Sequence, residues 1–266
     1  MIGYIPPAKK VLVLHGYSQN ASMFSNRLGA LRKESKSLDY VFVNAPHTLL
    51  PADLMFDTNL PPSEFTVLEQ TQANPELALR GWWRGKKGSR DRTEAAGLHD
   101  AIMTIKDMLV KQRFDGIFGF SQGGAFASLI SAMLEQPELY PEFLVDGKPP
   151  HPPFKFCVSI SGFRLNDPFC DKFFPYKTPT LHVLGRTDVI VVEERSQQLL
   201  EISLVKRVEE HEGGHFVPTK GQWRKFMVSW MNNPAGNHPS PTPLLAADSE
   251  LGGPKSLANA ATPAKA

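Results

Sequence analysis

The sequence predicts an α/β fold, a mostly parallel central sheet covered by helices on both faces. Three observations predict it. Short apolar runs rich in β-branched residues recur along the chain, amphipathic helical stripes alternate with them, and 266 residues suit one such domain.

Lys10–Leu14 (KVLVL) is a continuous apolar run ending at His15-Gly16, the pattern of a buried parallel strand. A helix is expected from about Ala21 to Lys36, then a strand at Tyr40–Asn44 (YVFVN) stopped by Ala45-Pro46. Asp115–Phe120, Phe154–Ile160, Thr180–Leu184 and Val205–Glu210 are further strands. Leu98, Ile102, Ile105 and Leu109 fall on one helical face that Asp91 and Glu94 could cap. Phe126, Leu129, Ile130, Met133 and Leu134 form a second stripe, and Trp223, Phe226, Met227, Trp230 and Met231 a third. Stripes of this spacing are core faces rather than cofactor sites.

The domain is expected to span residues 1–231. Two stretches inside it break the alternation. His47–Arg90 is long, with a Trp82-Trp83 pair, and Gln136–Pro153 carries six prolines. Both are expected to be lid-like insertions near the active site, because loops of that length inside a compact domain are usually functional. Residues 232–266 have no aromatic side chain and are dominated by Pro, Ala, Gly, Ser and Asn, so a disordered tail is expected there.

Composition narrows the function classes. A net charge of +2 gives no global reason to expect nucleic acid or an anionic membrane as partner. Arg80, Arg84, Lys86, Lys87, Arg90 and Arg92 make a short basic loop, which reads as a solvated face. Cys157 and Cys170 have no metal-ligand spacing and cannot form a disulfide framework. The start, MIGYIPPAKK, lacks a signal-peptide layout, and no apolar run approaches the roughly 20 residues of a membrane span. A reducing, cytoplasmic or nuclear location is expected.

The chemistry is carried by Gly119-Phe120-Ser121-Gln122-Gly123, a G-x-S-x-G between an apolar strand and an amphipathic helix. A serine on that turn is lifted out of the sheet, and the two glycines leave room for neighbouring backbone. The pattern lacks the spacing of a dinucleotide or phosphate loop. The Gln122 N–H at the helix start can serve as one oxyanion donor, and the Tyr17 N–H after His15-Gly16 as the other. His15 itself reads as a structural residue that hydrogen-bonds its loop.

Serine needs a base and an acid. On this fold they follow in the order Ser, Asp, His, which points to Asp188 after Thr180–Leu184 and to His215 after Gly213-Gly214. Asp167 and Asp171 are rival acids, and His211 is the rival base. Trp82, Trp83, Leu60 and Phe65 are candidates for one wall of an acyl pocket, with Gln136–Pro153 as the opposite wall.

Six ordered motifs now stand together: LHGYSQN (Leu14–Asn20), NAPH (Asn44–His47), FDGIFGFSQGG (Phe114–Gly124), SGF (Ser161–Phe163), PTLHVLGRTD (Pro179–Asp188) and GGHFVP (Gly213–Pro218). Over residues 9 to 231 the chain resembles the fungal-type family of serine hydrolases. The resemblance implies an α/β-hydrolase fold and a carboxylesterase or thioesterase acting on small-molecule acyl substrates. It places the nucleophile at Ser121, the acid at Asp188 and the base at His215, with no metal and no organic cofactor. Acyl transfer, polyketide release by thioester cleavage and a non-catalytic binding scaffold are the alternatives.

Overall fold

A computed structural model describes residues 7–50, 53, 77–85 and 95–242 of the chain. In chain order it begins with β1 (Lys9–Leu14), α1 (Ala21–Arg27), α2 (Gly29–Glu34) and β2 (Leu38–Val43). Two short antiparallel pairs follow, β3 (His47–Thr48) with β4 (Arg80–Gly81), and β5 (Arg84–Gly85) with β6 (Ala95–Ala96). Then come α3 (Leu98–Lys111), β7 (Gly116–Phe120), α4 (Gln122–Glu135), β8 (Phe156–Ile160) and α5 (Pro168–Asp171). The described chain closes with β9 (Thr180–Gly185), α6 (Glu193–Ile202), β10 (Lys206–His211) and α7 (Gly221–Asn232).

Six strands form one parallel sheet in the order β10-β9-β8-β7-β1-β2. Side chains alternate across it, as a two-residue period requires. Leu12, Leu14, Ile117 and Cys157 face a layer with α3 and α4, while Val11, Val13, Phe118, Phe120, Val158 and Val183 face α1, α2 and α7. All three predicted helical stripes are buried in these layers. From β1 the chain passes outward to β2, and from β7 it passes the other way to β8. The loops after β1 and β7 therefore diverge and leave a crevice at the carboxyl ends of the strands.

Several expectations are corrected. The helix expected over Ala21–Lys36 is two helices meeting at Leu28, where Gly29 weakens helical continuity. The N-cap of α3 is Gly97, with φ 85°; Asp91 and Glu94 lie outside the described residues. The proline-rich segment Gln136–Pro153 follows α4 and packs along α3, with Tyr140 against His99 and Phe169. The 14 residues of α4 carry the chain about 21 Å from the Ser121 turn toward the opposite edge of the sheet. There the segment is tied to the outer side of α3 and to the start of β7. Lys106 Nζ donates to the Glu142 and Leu144 carbonyls, and the Phe114 N–H donates to His151 Nε2.

Order also continues past Asn232, where a disordered tail was expected. Residues 233–242 fold back on α7 and β10; residues 243–266 lie outside the described part. Pro241 accepts from Gln222 Nε2 at 3.0 Å, and Ser240 Oγ donates to Glu209. Composition carries little sign of this docking, because it uses hydrogen bonds rather than apolar burial. His238 is its anchor, buried, with Nε2 donating to the Asn233 carbonyl and Nδ1 accepting from Ser229 Oγ. His238→Ala removes both bonds at a cost of about 1–2 kcal/mol. A fall in Tm of roughly 3–6 °C is expected by thermal denaturation.

Candidate active site

Ser121 occupies the turn between β7 and α4 with φ 55° and ψ −120°, a conformation that side-chain-bearing residues rarely adopt. Its N–H donates to the Ile160 carbonyl at 2.8 Å, fastening the turn to the end of β8. The flanking glycines are required by space. A Cβ on Gly119 would collide with the Gly123 backbone, and one on Gly123 with the Leu14 carbonyl.

His215 reaches Ser121 from the loop after β10. Its Nε2 lies 2.9 Å from Ser121 Oγ, and its Nδ1 lies 2.8 Å from Asp188 Oδ2. Nδ1–H therefore donates to the carboxylate, leaving Nε2 to accept from the serine hydroxyl. The Phe120 ring, 4.9 Å away between centroids, packs against the imidazole. Thr187 N–H donates to the Gly213 carbonyl, so the acid loop and the histidine loop are strapped together.

The Asp188 side chain is only 5% exposed. Oδ1 accepts from the Ile190 and Val191 N–H groups, both at 2.9 Å. Burial opposes ionisation, but the hydrogen bonds from His215 and Val191 outweigh it, and the carboxyl sits below its usual range.

The rivals are placed elsewhere. Asp167 caps α5, accepting from the Phe169 N–H, and also holds the Ala95 N–H. Asp171 pairs with Arg164 at 2.8 Å. His211 accepts from the Gly213 N–H and stacks near Phe216 and Trp223, bracing the histidine loop; burial lowers its pKa.

Gly16 and Tyr17 follow β1 on the other side of the crevice. A Cβ on Gly16 would stand 3.0 Å from the Phe120 ring and 3.4 Å from Ser121 Cβ, so this loop approaches the nucleophile closely. Gln122 is the first residue of α4, where a backbone N–H has no acceptor within its own helix.

Trp82 is not a pocket wall. It is completely buried, and its indole N–H donates to the His15 carbonyl at 2.9 Å, the kind of partner a buried indole requires. Trp83 lies beside Phe126 and Phe163 and retains slight exposure. Leu60 and Phe65 lie outside the described residues. Arg80 donates to the Ala45 carbonyl, and Arg84 to that of Thr48. Lys86, Lys87, Arg90 and Arg92 are outside the described part.

One contributor was missed by sequence reasoning, the Gln122 side chain. Its Oε1 accepts from the Trp82 N–H and its Nε2 donates to the Trp83 carbonyl, both at 2.8 Å. His15 completes this bracing. Nδ1–H donates to the Gly16 carbonyl and Nε2 accepts from the Ala45 N–H, so the ring is structural, as its position after β1 suggested.

A parallel sheet with this crevice and a hydrogen-bonded Ser–His–Asp chain at its carboxyl edge define an α/β-hydrolase. The family model described as serine hydrolase (FSH1) matches residues 5–227, and the chain belongs to that family. Esterase OVCA2 of Danio rerio is 34% identical over 229 residues, covering 81% of this chain and 93% of its own. An esterase of Anopheles gambiae is 30% identical over 237 residues, covering 86% and 79% respectively. The fold is shared with the crystal structure of Zea mays acyl-protein thioesterase 2. That likeness has a TM-score of 0.54 and 18% identity, over 85% of this chain and 97% of that one. Among the described residues, no cluster of three metal-ligating side chains occurs, and no helix is long and apolar enough to cross a membrane.

The buried imidazoles make acid stability a readout of the site's scaffold. Burial lowers His15 to about 4 and His182 to about 3, from an ordinary 6.5. Between those values and 6.5 the unfolded chain binds more protons, so stability rises with pH there. It is fully present above 6.5 and falls as the solution is acidified toward 4. Urea midpoints measured from about pH 7 down to about pH 5 should decline, and His182→Leu should make the decline shallower.

Proposed function

We propose that this serine hydrolase cleaves carboxylic esters or thioesters of medium to long acyl chains through an acyl-enzyme on Ser121. The observation that carries the reading is the unbroken chain from Ser121 Oγ through His215 to Asp188, at 2.9 and 2.8 Å. Ser121 Oγ attacks the acyl carbon while His215 Nε2 takes its proton. Asp188 fixes the tautomer and supports the imidazolium. The Tyr17 and Gln122 N–H groups receive the oxyanion, a role supported by the close approach of Gly16 to Ser121. His215 then protonates the leaving alcohol or thiol. Water, activated by the same imidazole, releases the carboxylic acid. The reaction so written uses no cofactor.

An apolar acyl group is favoured by the side chains around the opening. Val189, Ile190 and Val192, next to Asp188, are exposed, with Val189 at 82%. Trp83 and Phe163 meet edge to face at 6.3 Å beside the insertion. Each methylene moved from water onto such surfaces gains about 0.8 kcal/mol.

Labelling with a fluorophosphonate, followed by peptide mapping, should modify Ser121. Ser121→Ala should lose ester hydrolysis by several orders of magnitude while keeping its Tm. Asp188→Asn should lower kcat by roughly 10⁴-fold, as a wrong tautomer does in serine proteases. Asp167→Asn and Asp171→Asn should leave kcat nearly unchanged. Near-wild-type turnover in folded Ser121→Ala protein would end this reading.

Chain-length preference is tested with p-nitrophenyl and CoA esters from acetyl upward. kcat/KM should climb with each added methylene until the pocket is filled. Trp83→Ala should flatten that climb more than it lowers acetyl-ester kcat. A flat wild-type profile would remove the apolar acyl chain from the proposal while leaving the hydrolysis intact.

A further inference from the structure

Four non-glycine residues among those described have positive φ, and three are serines beside the site. Ser18 follows β1, Ser121 follows β7 and Ser161 follows β8, with φ of 55°, 55° and 46°. The first sits in the proposed oxyanion loop and the second is the proposed nucleophile. The third has no role in the reaction as derived above. Backbone strain in a side-chain-bearing residue persists where the surroundings impose it, and such positions gather at functional sites.

Ser161 stands where the nucleophile and the acid are joined. The residue before it, Ile160, accepts the Ser121 N–H, and its own N–H donates to the Val183 carbonyl at 2.9 Å. Val183 lies on β9, the strand that leads to Asp188. The Ser161 side chain is buried, 1% exposed, and its Oγ has no hydrogen-bond partner within ordinary distance. A buried hydroxyl without a partner is costly, and it calls for an explanation.

Asp188 supplies one. A carboxylate offers about four lone-pair sites. Ile190, Val191 and His215 occupy three of them. Burial opposes ionisation of Asp188, and the Ser161 hydroxyl is the last of the groups, after His215 and Val191, that hold its carboxyl low.

We propose that Ser161 is a positioning residue whose hydroxyl donates to the Asp188 carboxylate as His215 becomes an imidazolium, filling the carboxylate's fourth site. This rests on the Ser121–His215–Asp188 reading. In the resting enzyme the hydroxyl has no hydrogen-bond partner. The bond forms when the imidazole takes the serine proton and charge on the His215–Asp188 pair becomes localised, as catalytic hydrogen bonds tighten on the way to the transition state. The strained backbone holds Ser161 at the end of β8 with its side chain buried rather than in solvent.

Two variants separate the hydroxyl from the backbone. Ser161→Ala removes the donor and keeps Cβ. Ser161→Gly removes the donor and also relieves the positive φ, so its Tm should equal or exceed that of wild type. Both should lower kcat roughly tenfold or more with KM for a neutral ester little changed, the effect of losing a hydrogen bond to a charged group. Both should also move the low-field NMR resonance of the His215 Nδ1 proton, which a purely structural role would leave in place. Wild-type kcat and an unmoved resonance in both folded variants would overturn the proposal. So would activity lost in Ser161→Ala but kept in Ser161→Gly, which would assign the residue to backbone conformation alone. Fluorophosphonate labelling of wild type runs alongside. If Ser121 is not labelled, the triad reading fails and Ser161 falls with it. If Ser121 is labelled and the variants behave as wild type, Ser161 alone is dismissed.

Discussion

Between β7 and α4 the backbone must reverse within one residue, and that residue carries a side chain. Everything else at the crevice is arranged to hold this turn. Gly119 and Gly123 pass so close to neighbouring backbone that neither position has room for a single added carbon. The Ile160 carbonyl takes the Ser121 N–H, and the first turn of α4 begins at once. A conformation of this kind costs on the order of 1–3 kcal/mol. It persists because the parallel sheet on one side and the buried helix on the other fix both ends of the turn.

The second element of rigidity is polar. The Gln122 side chain grips the backbone of Trp82 and Trp83, Trp82 grips the His15 carbonyl, and His15 grips Gly16 and Ala45. Three segments far apart in sequence, the loop after β1, the β4–β5 insertion and the start of α4, are thereby tied into one unit. Every link is buried, so each group depends on its partner for the hydrogen bonds that water would otherwise supply. The insertion thus acts as a brace for the site through its first tryptophan, while its second packs against Phe126 and Phe163.

Much of this was legible in the sequence because it rests on period and position. The stripe from Phe126 to Leu134 is buried on α4, and the KVLVL run is the buried centre of β1. Asp188 and His215 stand at the ends of consecutive strands, where their order along the chain pointed. What escaped depends on three-dimensional partnership. A tryptophan looks the same in sequence whether its ring lines a pocket or its N–H meets a carbonyl. The prolines of Gln136–Pro153 signal a long connection without saying to which edge of the sheet α4 delivers it. Polar residues such as His238 and Ser240 resemble linker until the strand and helix they bind are in place.

The docked stretch after α7 has one further effect. β10 is an outermost strand of the sheet, paired only with β9. Open edges of this sort offer unpaired backbone groups to other chains, and proteins commonly shield them with charge or with a covering segment. Here both devices are present. Lys206, Arg207, Glu209 and Glu210 line the strand, and Thr242 donates its hydroxyl to the Glu210 carbonyl while Ser240 holds the Glu209 side chain. A chain cut before residue 233 would bare that flank, and its first symptom would be self-association of otherwise native molecules.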